Sequence, residues 1–263
     1  MMFFRSSFVK IISPFFVFGF AHGMVQLPEI TIRPQNQDEA FSCIKKLIDR
    51  LPFFKKNGYH IKLPALPEFE ALLQKDIIIS EEEKDKLSKA FYANIYDLSM
   101  FNSSLAVLKK SSGIIRNACE KLLILNINWG FKIFDKYEIL LTLYGPGGRY
   151  YFFKNHGFVE LLTTARGTFG CHPGYETIIH EIVHLGIEEI IVQKYRLKHW
   201  EKERIVDLIC SLYLKDLLPK YKVNEKGDQK IDAFVNEAAI VQDLPSAIAQ
   251  FIKQYPTLKD RHE

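Results

Sequence analysis

A chain of 263 residues, 48% hydrophobic and 25% charged, has the composition of a packed globular protein, which excludes a disordered or fibrous one. Its formal charge of +4 is small. The Lys-Lys pairs at 45–46, 55–56 and 109–110 are scattered without interleaved aromatics, so they read as solvated surface and no nucleic-acid partner is expected.

The chain opens with Arg5 and Lys10 around an apolar run at 11–20, followed by Ala21-His22-Gly23. Positive residues, a short apolar stretch and small residues at that spacing predict a cleavable signal peptide over 1–23, and hence an exported protein, periplasmic or secreted, with a retained anchor and a buried N-terminal segment as the alternatives. The run is short and contains Pro14, so no stable membrane span is expected once it is removed. Loss of Arg5 and Lys10 leaves 33 of the 35 basic residues against 31 acidic ones, a nearly neutral mature chain. Cys43, Cys119, Cys171 and Cys210 could pair in an oxidising compartment in three connectivities, among which spacing does not choose. Buried free thiols are the alternative. No CxxC spacing marks a cysteine zinc knuckle.

Residues 24–36 read as an extended lead-in. From 38 to 51 the apolar positions Ala40, Phe41, Ile44, Leu47, Ile48 and Leu51 recur at helical spacing. Pro64 and Pro67 break the next stretch, and a short helix is expected from Glu68. Ser80 with Glu83 forms a capping-box signature opening a helix through Leu87, Ala90, Phe91 and Ile95. A further helix is predicted over 114–125, which makes 24–130 a mainly helical N-terminal region. Residues 131–144 and 149–154, rich in aromatic and branched residues and separated by Gly145-Pro146-Gly147-Gly148, predict a β-hairpin. Residues 158–165 extend the sheet as a third strand. Helices are then expected over 175–194, 201–217, 229–242 and 246–254, with Pro245 in the first turn of the last. Helices, a small sheet and helices again give an α+β class, with a second region at 131–263.

The chemistry concentrates in His180-Glu181-Ile182-Val183-His184. Residues four apart on a helix share a face, so both imidazoles can reach one ion. Glu181 lies beside the first of them, where it can reach a water on the metal without ligating it. A zinc hydrolase needs a third protein ligand and an open fourth position. Glu203 and Asp207, again four apart, stand on a second predicted helix; Glu203 can complete the ligand set while Asp207 orients a ligating histidine. Glu201 would face another side of that helix. His199 serves as a ligand only if residues 195–200 turn back on the site. Glu188 and Glu189 read as solvated.

His180-Glu181-x-x-His184 followed by Glu203-x-x-x-Asp207 resembles the gluzincin metallopeptidases, among them thermolysin and the minigluzincins, over about 140–215. The resemblance implies a zincin-like catalytic domain, with a small antiparallel or mixed sheet over an active-site helix, Zn2+ as cofactor and a peptide or protein substrate. It implies His180, His184 and Glu203 as zinc ligands, Glu181 as general base and proton shuttle, and Asp207 as the residue orienting His180. An upstream edge strand, 150–154 or 158–165, would bind the peptide in extended form. Enzymes of this kind also use Tyr and His donors at the oxyanion, for which Tyr195 and Tyr213 are the candidates, each with packing as the plain alternative.

A contrasting possibility is a catalytically silent zincin-fold scaffold or binding protein that keeps its zinc; the presence of Glu181 favours catalysis. A third combines the two, the N-terminal region covering the cleft as an inhibitory segment. Gly145–Arg149 matches no phosphate loop and reads as a turn. Cys171-His172 reads as a sequence neighbour pair, not a nucleophile and its base.

Overall fold

A computed structural model describes residues 9–11, 26–67, 69, 80–94, 97–170 and 172–256. Four strands form a mixed sheet: β2 (Glu29–Pro34), β3 (Lys136–Thr142), β4 (Gly148–Phe153) and β5 (His156–Leu162). β2, β3 and β5 run parallel in that order, and β4 lies antiparallel outside β5 as the edge. A short β1 (Val9–Ile11) pairs antiparallel with β2 at the other side. The rest of the expected signal peptide lies outside the described residues. Every residue of β3 after Lys136 is buried, as a parallel strand covered on both faces should be.

Two strand expectations need correction. The stretch 24–36 holds a strand, β2, whose Ile30 and Ile32 are buried in the core. The predicted hairpin across Gly145–Gly148 does not form, because β5 lies between β3 and β4. The hairpin is instead β4–β5, closed at Lys154-Asn155, where Lys154 takes a left-handed backbone (φ 55). Such a turn matches the twist of an antiparallel pair.

Seven α-helices stand among the described residues: α1 (Gln37–Asp49), α2 (Leu51–Lys56), α3 (Glu81–Asn94), α4 (Asn102–Trp129), α5 (Gly174–Ile187), α6 (His199–Leu208) and α7 (Glu237–Gln254). The Ser80–Glu83 box forms as its sequence implies, with Ser80 N donating to Glu83 (2.9 Å) and Glu83 N to Ser80 Oγ (3.3 Å). α4 starts twelve residues ahead of its predicted start and ends on Gly130 in the left-handed region (φ 85). α7 kinks at Asp243, which caps the second segment by accepting from Ser246 N (3.1 Å) two residues after which Pro245 is tolerated in a first turn. One hydrophobic core includes residues of α1, α4, α5, α6 and α7 and the sheet, and the β2–β3 ladder crosses the region boundary near residue 130. Among the described residues no helix is long and apolar enough to cross a membrane.

Two local features seat the edge strand on α5. Gly148 lies so close to the helix that a Cβ there would collide with the Glu181 carboxylate and Thr177. Next to it, Arg149 pairs directly across the hairpin with Glu160, and the buried pair is enclosed by the Cys43 thiol of α1 (3.0 Å from Arg149) and the Gln35 amide (3.2 Å to Glu160). A buried ion pair is held by such additional polar partners. Cys43, Cys119 and Cys210 are free and buried, and burial pushes the thiols of Cys43 and Cys119 up to about 12; Cys171 lies outside the described residues.

Candidate metal centre

α5 is buried along most of its length, with Ile178, Ile179, Ile182, Val183 and Leu185 in the core and Glu181 and His184 also enclosed. Gly186 lets the helix approach Phe131, where a Cβ would overlap the ring. α5 continues into a π-helical turn (Glu188–Gln193), and α6 into another (Ile209–Tyr213), a widening often found beside functional sites. α6 begins at His199, and Glu201 accepts from Lys198 N (2.8 Å) to cap it. Glu201 therefore belongs to the helix start and not to the site.

The one-turn spacing on α5 brings His180 Nε2 and His184 Nε2 within 3.0 Å of each other. Glu203 Oε2, from α6, lies 3.4 Å from the first and 3.3 Å from the second. One donor atom from each of the three residues falls within 4.8 Å of the others, a group able to hold a metal ion. Two imidazole nitrogens and one carboxylate oxygen, fixed by two helices, form a set that fits such an ion.

Asp207 acts on His180 at one remove. Its Oδ1 lies 3.8 Å from His180 Nδ1, beyond a hydrogen bond, and the Tyr221 hydroxyl bridges the gap. A carboxylate only accepts, so Tyr221 O–H donates to Asp207 Oδ1 (2.7 Å) and its oxygen accepts from His180 Nδ1–H (2.6 Å). The other Asp207 oxygen accepts from Asn224 N (2.8 Å). The relay places a proton on Nδ1 and leaves Nε2 as the nitrogen turned toward His184 and Glu203.

His184 has no such relay: its buried Nδ1 lacks a hydrogen-bond partner. Its ring is instead stacked on Tyr150 of β4, with centroids 4.8 Å apart and planes 10° apart. Tyr150 donates its hydroxyl to Glu188 (2.7 Å) and accepts from Lys202 Nζ (3.1 Å), so Glu188 is tied to the strand and not simply solvated. Glu189 is exposed and pairs with Lys132 (2.5 Å).

Burial sets two of the charges: it pushes the Glu181 carboxyl up to about 7 and the His184 imidazole down to about 3. Burial would also raise Glu203, but the imidazoles of His184 and His180 overcome it and hold that carboxyl well below the usual range. His180 moves the other way; burial opposes its charge, yet Cys210 and Glu203 hold it well above the imidazole range.

His180, Glu181, His184, Glu203 and Asp207 thus meet in one place. Tyr213 does not join them: its hydroxyl donates to the Lys121 carbonyl of α4 (2.6 Å), with Lys121 over its ring (5.2 Å), so it packs. Tyr195 follows the π turn with Lys194 over its ring (5.2 Å). His199 is not among the metal-holding group; its Nδ1 lies 3.6 Å from Glu203 Oε1. Tyr221 escaped the sequence reading because no helical spacing links it to His180. Tyr150 was visible only as part of a strand. No protein-family model, curated protein or solved structure matches this chain.

Proposed function

We propose that this protein is a zinc-dependent peptidase with a gluzincin-like site, exported through the signal peptide read at 1–23. The observation that carries the reading is the convergence of His180, His184 and Glu203 beside a buried carboxylate, Glu181, which is itself packed on the edge strand. Zinc is favoured over magnesium or calcium by the mixed nitrogen and oxygen donors. Zinc held by His180, His184 and Glu203 would supply Lewis-acid activation of a water and of the scissile carbonyl. Glu181, buried beside the first imidazole of the group, is the carboxylate that would take a proton from water and deliver it to the leaving amine. β4 offers a sheet edge along the same helix, on which an extended peptide can add as a strand. The position of β4 favours 150–154 over 158–165 as the peptide-binding strand, since β5 is interior.

The test is hydrolysis of a diverse peptide library by the mature chain, compared with Glu181→Gln. Zinc should stay bound in the variant while turnover falls about 10²- to 10⁴-fold. Equal turnover would remove Glu181 from its role. No hydrolysis by either, with zinc bound, would favour the silent scaffold instead.

A further inference from the structure

Glu203 presents Oε2 to the imidazole pair, and two groups approach its other oxygen, Oε1, at the same distance, longer than a hydrogen bond: His199 Nδ1 and Lys202 Nζ, each 3.6 Å away. Each of these is in turn anchored by a tyrosine, Lys202 by Tyr150 of the edge strand (3.1 Å) and His199 by Tyr59 (2.7 Å). Tyr59 stands far away in sequence, in the segment 57–62 that follows α2.

That segment is pinned at both ends to the part of the chain that builds the site. At one end Lys226 Nζ donates to the carbonyls of Asn57 (3.3 Å) and Gly58 (3.4 Å). At the other, Lys62 and Gly145 exchange backbone hydrogen bonds (3.0 and 2.9 Å) just ahead of β4. Between the pins the Tyr59 ring lies parallel to Trp200 of α6, with centroids 6.2 Å apart, and meets Phe54 edge-on. Phe53 closes on the His199 ring, edge to face, at 5.5 Å. The imidazole is therefore caged by the N-terminal region on one side and faces Glu203 on the other. A neutral His199 whose Nε2 accepts from the Tyr59 hydroxyl (2.7 Å) carries its proton on Nδ1, the nitrogen that faces Glu203 at 3.6 Å.

We propose that Tyr59 and His199 are positioning residues for Glu203: the Tyr59 hydroxyl holds the His199 ring, the ring stands against one oxygen of Glu203 and limits its rotation, and the other oxygen is thereby kept toward the two imidazoles. The N-terminal region is then a working part of the metal site, through segment 57–62. The inference rests on the metal reading given above.

The experiment uses the full purified chain and measures zinc affinity by competition with a chromophoric chelator, for the wild type, Tyr59→Phe, His199→Ala and the double variant. His199→Ala should weaken zinc binding about 10-fold, the low end of the range for losing an outer partner of a ligand, and Tyr59→Phe by a smaller but measurable factor. The double variant should bind no more weakly than His199→Ala alone, because both residues act in series. Nitrogen NMR of the metal-free chain should find the His199 proton on Nδ1, and Tyr59→Phe, which removes a single oxygen atom and leaves the ring packing intact, should abolish that preference. Should His199→Ala fail to fold, Tyr59→Phe carries the test by itself. Zinc affinity equal to wild type in Tyr59→Phe, or additive losses in the double variant, would overturn this inference while the metal reading stands. A wild-type chain that takes up no zinc would overturn both.

Discussion

The two sides of the candidate metal centre are built on different principles. On the strand side, His184 and Glu181 lie under β4, enclosed by the Tyr150 ring and Gly148, and burial sets their charges. On the loop side, His180 bonds to Tyr221, which bonds to an Asp207 carboxylate held by the Asn224 amide, and these hydrogen bonds set its proton. Two imidazoles one helical turn apart are thus oriented in opposite ways, His184 by packing without a partner for Nδ1 and His180 by a relay.

The sharpest way to expose the strand side is the pH dependence of metal-free stability. Glu181, raised from 4.5 to about 7, takes up a proton in the folded chain as pH falls through 7, while the unfolded chain does not until 4.5. His184, lowered from 6.5 to about 3, stays neutral when folded while the unfolded chain protonates below 6.5. Between pH 6.5 and 4.5 the first group adds stability on acidification and the second removes it, so the two slopes cancel. His180, held well above its ordinary value, is charged in both states there and adds no slope. Glu181→Gln should therefore unmask an acid loss of about 1.4 kcal/mol per pH unit, roughly 3 kcal/mol over the window, and His184→Gln should unmask the opposite slope. Denaturant titrations across pH 4.5–6.5 in the presence of a chelator read this directly. Matching slopes in wild type and both variants would show that burial does not set these charges.

The loop side breaks more gently. Tyr221→Phe removes the hydroxyl that joins His180 to Asp207 and should weaken zinc binding about 10- to 100-fold, with little change in fold, as measured by chelator competition. An unchanged affinity would mean that Asp207, 3.8 Å from Nδ1, needs no intermediary.

The pairs that make up the candidate metal group were legible because each is local: a helix fixes what lies four residues apart, and His180 with His184 and Glu203 with Asp207 both use that rule. Tyr221 and Tyr59 were not legible, since nothing but tertiary packing brings them to His180 and His199. The same division runs through the sheet. Aromatic and branched stretches marked β3 and β4 as strands, but the glycine-rich turn between them was read as joining neighbours, and β5 inserts there instead. The Lys154-Asn155 turn was the weaker signal, because lysine seldom takes a left-handed backbone. β2 was obscured by its flanking Pro28 and Pro34, although Ile30 and Ile32 alternate with Thr31 and Arg33 as a strand requires.

Zinc stoichiometry and ligand identity, from metal analysis and X-ray absorption of the purified chain, bear most directly on the centre. The expected result is one zinc per chain with two imidazoles and a carboxylate in its coordination sphere, lost in a His180→Ala/His184→Ala variant that still folds. A chain that binds no zinc, or one whose zinc survives that double substitution unchanged, would contradict the assignment.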